Sequence, residues 1–166
     1  HKLCPEVPIW VGGPEVSYEV ETFFAEHPQV TGVMIGEGER TFEQLCRYYV
    51  NHAGSLEEIR GIAFLDRDNG KTVFTPPQEP MDMSEIPFCY DHIENFENRI
   101  IYYESSRGCP FNCSYCLSSI DKKLRFRDME LVKKELAFFI EKKVPQVKFV
   151  DRTFNCRHDQ CQFLLI

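Results

Sequence analysis

An α/β fold in two units is what this 166-residue chain predicts, and three observations carry the prediction. Short apolar runs alternate with helix-period stretches through residue 75. A proline-rich segment then breaks the pattern, and a second alternation starts at residue 100.

The first unit, residues 1–75, opens with Pro8-Ile9-Trp10-Val11, a strand stopped by Gly12-Gly13-Pro14. Val16, Val20, Phe23 and Phe24 recur at helical spacing and predict one face of a helix that ends near Pro28. Val33-Met34-Ile35 is the next strand, closed by Gly36-Glu37-Gly38-Glu39. Thr41-x-x-Gln44 reads as a capping box, with Phe42, Leu45, Cys46 and Tyr49 as the apolar face behind it. Runs at 61–65 and 72–74 flank Asp66-Arg67-Asp68-Asn69-Gly70 and predict a hairpin. Strand, helix, strand, helix predicts a parallel layer.

Residues 76–99 carry Pro76, Pro77, Pro80 and Pro87 and read as a linker. Its Ile86, Phe88 and Tyr90 are expected to pack on a surface. The second unit, 100–166, begins with a strand, Ile100-Ile101-Tyr102-Tyr103, followed by a cysteine-rich loop from 105 to about 119. Asp128 caps a helix whose apolar face is Val132, Leu136, Phe139 and Ile140. A strand at 147–150 opens into Asp151-Arg152-Thr153-Phe154-Asn155.

Nineteen basic residues against twenty-six acidic give a net charge of −7, with no long basic run. That is a poor surface for nucleic acid or an anionic membrane, and neither is expected as a partner. No apolar stretch approaches the ~18 residues of a membrane span, and the first residues lack a signal-peptide core. The expected location is the cytoplasm, where the eight cysteines should be thiols or metal ligands. Cys4, Cys46 and Cys89 stand alone and are expected to be small buried hydrophobes. Lys122, Lys123, Arg125 and Arg127 read as a solvated loop face, and Cys156 and Cys161, with His158 between, as ordinary side chains.

Cys109-x3-Cys113-x2-Cys116 is different, because three thiolates on one strand-following loop can grip a soft metal centre. A closed zinc site needs a fourth protein ligand, for which Cys89, His92 or Cys156 would have to serve. In that alternative the chain is a non-catalytic α/β module that binds a partner. A four-iron cluster on three thiolates instead keeps one iron open to a substrate or cofactor.

The run Ser106-Arg107-Gly108-Cys109-Pro110-Phe111-Asn112-Cys113-Ser114-Tyr115-Cys116 resembles the cluster loop of radical S-adenosylmethionine enzymes. The resemblance implies a [4Fe–4S] cluster on Cys109, Cys113 and Cys116, with S-adenosylmethionine on the fourth iron. Tyr115 would lie by the adenine and Asp151 by the methionyl amino group, although a strand-end Asp is commonly a surface residue. It further implies an external reductant and release of a 5′-deoxyadenosyl radical, with the protein holding and shielding the cofactor. Upstream, the strand-Gly12-Gly13-Pro14-Glu15 and strand-Gly36-Glu37-Gly38-Glu39 turns resemble the later part of a cobalamin-binding domain, which precedes the barrel in one large subgroup. This marks Gly12, Gly13, Gly36, Glu37 and Gly38 as cobalamin contacts. The implied architecture is the C-terminal part of a Rossmann-like cobalamin-binding layer followed by the first βα units of a partial TIM-type barrel.

An eight-unit barrel takes ~250 residues, so residues 100–166 cannot close one. The chain is therefore expected to be a piece of a longer, oxygen-sensitive enzyme, inactive alone, whose substrate is recognised elsewhere. A two-strand piece should also leave Ile101, Tyr103, Val147 and Phe149 bare and prone to self-association.

Overall fold

The computed structural model describes residues 3–66, 68–117, 123–154 and 156. Two units form, His1–Met81 and Asp82–Ile166.

In the first unit the elements are β1 (Trp10–Gly12), α1 (Val20–Glu26), β2 (Gly32–Met34), α2 (Gly38–Asn51), β3 (Ile62–Asp66) and β4 (Lys71–Phe74). The sheet order is β1-β2-β3-β4. β1 and β2 are parallel, but β3 runs antiparallel to β2 and β4 antiparallel to β3, so the layer is mixed. The reason is the path after α2. Residues 52–61 run back to the start of that helix, where the Thr41 hydroxyl donates to the Arg60 carbonyl (3.1 Å) and the Ile35 amide donates to Gly61 (2.7 Å). The chain then enters β3 from the end at which β2 finished. Such an irregular return leaves no trace in the periodicity.

Alternation along β3 serves both sides of the sheet. Ala63 joins Val20, Phe24, Val30 and Val33 in one core, while Ile62 and Phe64 join Leu45 and Ile59 in another. Covered on both faces, β3 reads as a continuous apolar run. Helix α2 starts at Gly38, three residues before the expected capping box, with Glu37 at its N-cap position, and Thr41 lies buried inside it. Its inward stripe is Thr41 and Leu45, with Tyr48 and Tyr49 packed beside them, so Phe42 is 58% exposed and Cys46 is exposed. A one-residue error in the stripe is a rotation of ~100°.

In the second unit a short 3₁₀ turn, Met83–Glu85, is followed by β5 (Ile100–Tyr103), β6 (Ser106–Arg107), β7 (Arg125–Phe126), α3 (Met129–Glu141) and β8 (Gln146–Phe149). β5 and β8 are parallel, and β6 pairs antiparallel with β7. Asp128 caps α3, its carboxylate accepting the Glu130 and Leu131 amides at 3.0 and 3.1 Å. The core gathers Phe96, Ile101, Tyr103, Val132 and Phe139, with Phe88, Tyr90, Leu136, Val147 and Phe149 around them.

That packing corrects three expectations. Ile101 and Tyr103 are buried beneath α3 and the aromatics of residues 88–96, so the β5 face expected to be bare is covered. Ile140 is 79% exposed, and Glu135 takes an inward place on α3. Cys4, Cys46 and Cys89 are all exposed, in a terminal turn, on the outer side of α2 and in the segment before β5. Among the described residues no helix is long and apolar enough to cross a membrane.

Candidate functional site

The cysteine loop leaves the carboxyl end of β5 and is tied at its root to the neighbouring strand. Asp151, just beyond β8, accepts the Ser105 amide (3.2 Å), the Ser105 hydroxyl (2.8 Å) and the Ser106 hydroxyl (2.5 Å). Three donors on one carboxylate hold the chain where it turns into the loop. The β6–β7 ladder, with Ser106 opposite Phe126 and Arg107 opposite Arg125, makes the loop an excursion from a short antiparallel stem. Gly108 sits at φ 98°, and a Cβ there would strike the Lys123 carbonyl oxygen. Only glycine meets both demands. Arg107 and Glu104 form a forked pair beside the stem, Nε to Oε1 at 3.1 Å and Nη2 to Oε2 at 2.7 Å.

On the loop, Cys109 and Cys116 are half-buried and Cys113 is exposed. The Cys116 amide donates to the Cys113 carbonyl (3.1 Å), which folds those two positions into a turn. Cys109 Sγ lies 3.7 Å from the Thr153 hydroxyl, in the segment that follows β8. Tyr115 is 91% exposed. Among the described residues no three His, Cys, Asp or Glu side chains converge as a metal-ligand set. The loop therefore brings its three cysteines onto one stem without drawing the thiols together.

Beneath the stem lies a charged group that sequence reasoning missed. Glu135 accepts the Tyr103 hydroxyl at 2.6 Å and both Nε and Nη2 of Arg127, at 2.9 and 2.5 Å, while Arg127 Nη1 donates to the Met83 carbonyl. Arg127 is 7% exposed and Glu135 5%, so this end of the basic stretch is not a solvated face. Lys122, by contrast, lies outside the described residues. Burial raises the Tyr103 hydroxyl pKa far above its ordinary value, with Glu135 adding to the rise, and the Glu135 hydrogen bond raises that of Arg127. The Arg127 amide donates to the Ser105 carbonyl (2.9 Å), so the buried pair braces the root of the loop. A Glu inside an apolar helical stripe, eight residues after an Arg, was the available signal.

In the first unit, parallel pairing puts Gly12 opposite Met34. The Gly12-Gly13-Pro14 and Gly36-Glu37-Gly38 turns therefore leave the carboxyl ends of adjacent strands, the edge where open α/β sheets take ligands. A Cβ on Gly13, Gly36 or Gly38 would meet nothing within 4 Å, so this backbone is open to close approach. Gly13 and Gly36 also have φ of 102° and 84°, which turn geometry alone explains. A Cβ on Gly12 would touch Met34, and the Glu37 carboxylate is engaged with the Met81 amide (3.2 Å).

No family model matches the chain. It is 34% identical over 156 residues to an uncharacterized methyltransferase of Pyrococcus horikoshii, covering 87% of this chain and 33% of that protein. It is 25% identical over 164 residues to the cobalamin-dependent radical SAM methyltransferase TokK of Streptomyces tokunonensis, covering 91% and 24%. Its homologues include cobalamin-dependent radical S-adenosylmethionine enzymes. Among solved structures, the cobalamin-dependent radical enzyme OxsB with aqua-cobalamin and S-adenosylmethionine bound superimposes with a TM-score of 0.70 at 22% identity, over 95% of this chain and 24% of that one. The chain thus spans a quarter to a third of the length of these two relatives.

The donor chemistry fits the family's iron–sulfur cluster: Cys109, Cys113 and Cys116 are soft ligands on one short, accessible loop. For zinc, the required fourth ligand is not in evidence among the described residues. Cys89 is exposed, and so is His92, which pairs with Asp91 at 3.3 Å. Cys156 is half-buried, while His158 and Cys161 lie outside the described residues.

Proposed function

We propose that this chain carries the cluster-binding start of a cobalamin-dependent radical S-adenosylmethionine enzyme. Residues 1–75 are the C-terminal part of the Rossmann-like cobalamin-binding layer, 76–99 the connection, and 100–166 the first βα units of the barrel. The observation that carries the reading is the Cys109-x3-Cys113-x2-Cys116 loop on a stem pinned between the carboxyl ends of two parallel strands. The names of the relatives favour methyl transfer as the outcome.

Cys109, Cys113 and Cys116 would hold a [4Fe–4S] cluster. When bound, the cluster supplies the electron that splits the sulfonium carbon–sulfur bond of S-adenosylmethionine into methionine and a 5′-deoxyadenosyl radical, a reductant restoring it. The chain's own residues supply position. Asp151 anchors Ser105 and Ser106, the Arg127–Glu135 pair braces the same root from below, and Gly108 lets the stem close. Asp151 accepts three of the roughly four hydrogen bonds a carboxylate can take, leaving one direction on Oδ2 for the methionyl ammonium. Exposed Tyr115 would cover the adenine. Gly13, Gly36 and Gly38 offer open backbone to cobalamin, with Gly12 packed against Met34 at the root of the first turn and Glu37 fixing the second. The oxygen-labile cluster suits a reducing cytoplasm, and turnover needs the rest of the parent enzyme.

Anaerobic reconstitution with iron and sulfide tests the proposal. The expected product is brown, with about four irons per chain, and colourless in the Cys109/Cys113/Cys116→Ala variant. A colourless wild-type protein that takes up zinc would overturn it.

A further inference from the structure

We infer that Thr153 is a positioning residue for the cluster: its hydroxyl donates a hydrogen bond to the Cys109 sulfur and so raises the reduction potential. This rests on the functional reading above. The two atoms are 3.7 Å apart, within hydrogen-bonding range for sulfur. In a thiol either atom could donate. A metal-bound thiolate has no proton, so only the threonine can. Both side chains are half-buried, which limits competition from water. Among the described residues the Cys109 sulfur is the one hydrogen-bond partner of this hydroxyl.

The arrangement is built from both strand ends. Asp151, two residues before Thr153, clamps Ser105 and Ser106 on the Cys109 side. The Cys156 amide closes a turn onto the Thr153 carbonyl (3.3 Å). The contact therefore joins positions 44 residues apart across the β5–β8 edge. Reduction adds negative charge to the cluster, and a donor aimed at a ligating sulfur stabilises that charge. Losing the donor should make the cluster harder to reduce.

The test is an anaerobic redox titration of the reconstituted chain, read by the electron paramagnetic resonance of the reduced cluster, with iron counted in every sample. Thr153→Val, which keeps the shape and removes the donor, should lower the reduced-to-oxidised ratio at a fixed potential about threefold to tenfold. A tenfold change equals about 59 mV for one electron. Thr153→Ser should restore the wild-type ratio. If Thr153→Val loses its cluster while Thr153→Ser keeps it, the hydroxyl retains the cluster and does not tune its potential, which overturns the inference and leaves the cluster reading intact. An unchanged ratio in fully loaded Thr153→Val overturns the inference and leaves the cluster reading intact, as does cluster loss in both variants, which would mean packing alone. A wild-type chain that takes up no cluster overturns both.

Discussion

Glu135→Leu removes the acceptor on which the buried charges of the second unit converge. Glu135 now takes three hydrogen bonds, two from Arg127 and one from Tyr103, with all three residues at least nine-tenths buried. The leucine would leave the Arg127 guanidinium with the Met83 carbonyl as its partner and the Tyr103 hydroxyl with none. Removing one member of a buried ion pair costs about 3–5 kcal/mol, because the other charge stays desolvated. That is a large share of the roughly 5–15 kcal/mol that holds a domain together. The pair itself need not be strongly stabilising. An Arg127→Met/Glu135→Leu double variant, with no stranded charge, should recover most of the loss. Urea unfolding followed by circular dichroism measures all three variants. Hydrogen exchange at the Arg127 amide, which is bonded to Ser105, should quicken in the single variant. A Glu135→Leu cost below about 1 kcal/mol, or a double variant no more stable than the single, would refute the bracing argument.

Two further outcomes follow from the same geometry. The folded state raises the Tyr103 pKa, so its contribution to stability is complete below pH 10, the ordinary tyrosine value, and is lost as pH rises above that. Melting temperature should accordingly fall above pH 10, and Tyr103→Phe should flatten the fall; an equally steep fall in that variant would contradict the assignment. Gly32 lies under the Trp10 ring, where an alanine Cβ would sit 2.5 Å from Cη2 and 2.8 Å from Cε3, and the ring is held by its Nε1 donating to the Tyr49 hydroxyl at 3.0 Å. Gly32→Ala should therefore cost about 1–3 kcal/mol and shift the emission of the one tryptophan, whereas unchanged emission and melting would show that the ring yields freely.

What the sequence determined by itself is what short spacings encode. Alternation placed the strands at 10–12, 32–34 and 100–103 within a residue or two. Asp128 announced the start of α3 through its own side chain, and the hairpin followed from Asp66 to Gly70. The three cysteines and their family likeness were equally local, since eight residues hold the whole pattern. Tertiary structure decided the relations between distant residues. It ran β3 against β2, set the two glycine turns side by side, and rotated α2 so that Thr41 and not Phe42 faces inward. It also turned Asp151 back onto Ser105, Thr153 onto Cys109, and Arg127 inward onto Glu135. A period of 2 or 3.6 residues says which side chains share a face. It carries no information on the path of the irregular segments between elements. Those segments, 52–61, 82–99 and the loop stem, decide which buried charge meets which partner. Desolvation then makes that meeting obligatory, because a charge buried without its partner costs more than the local pattern can supply.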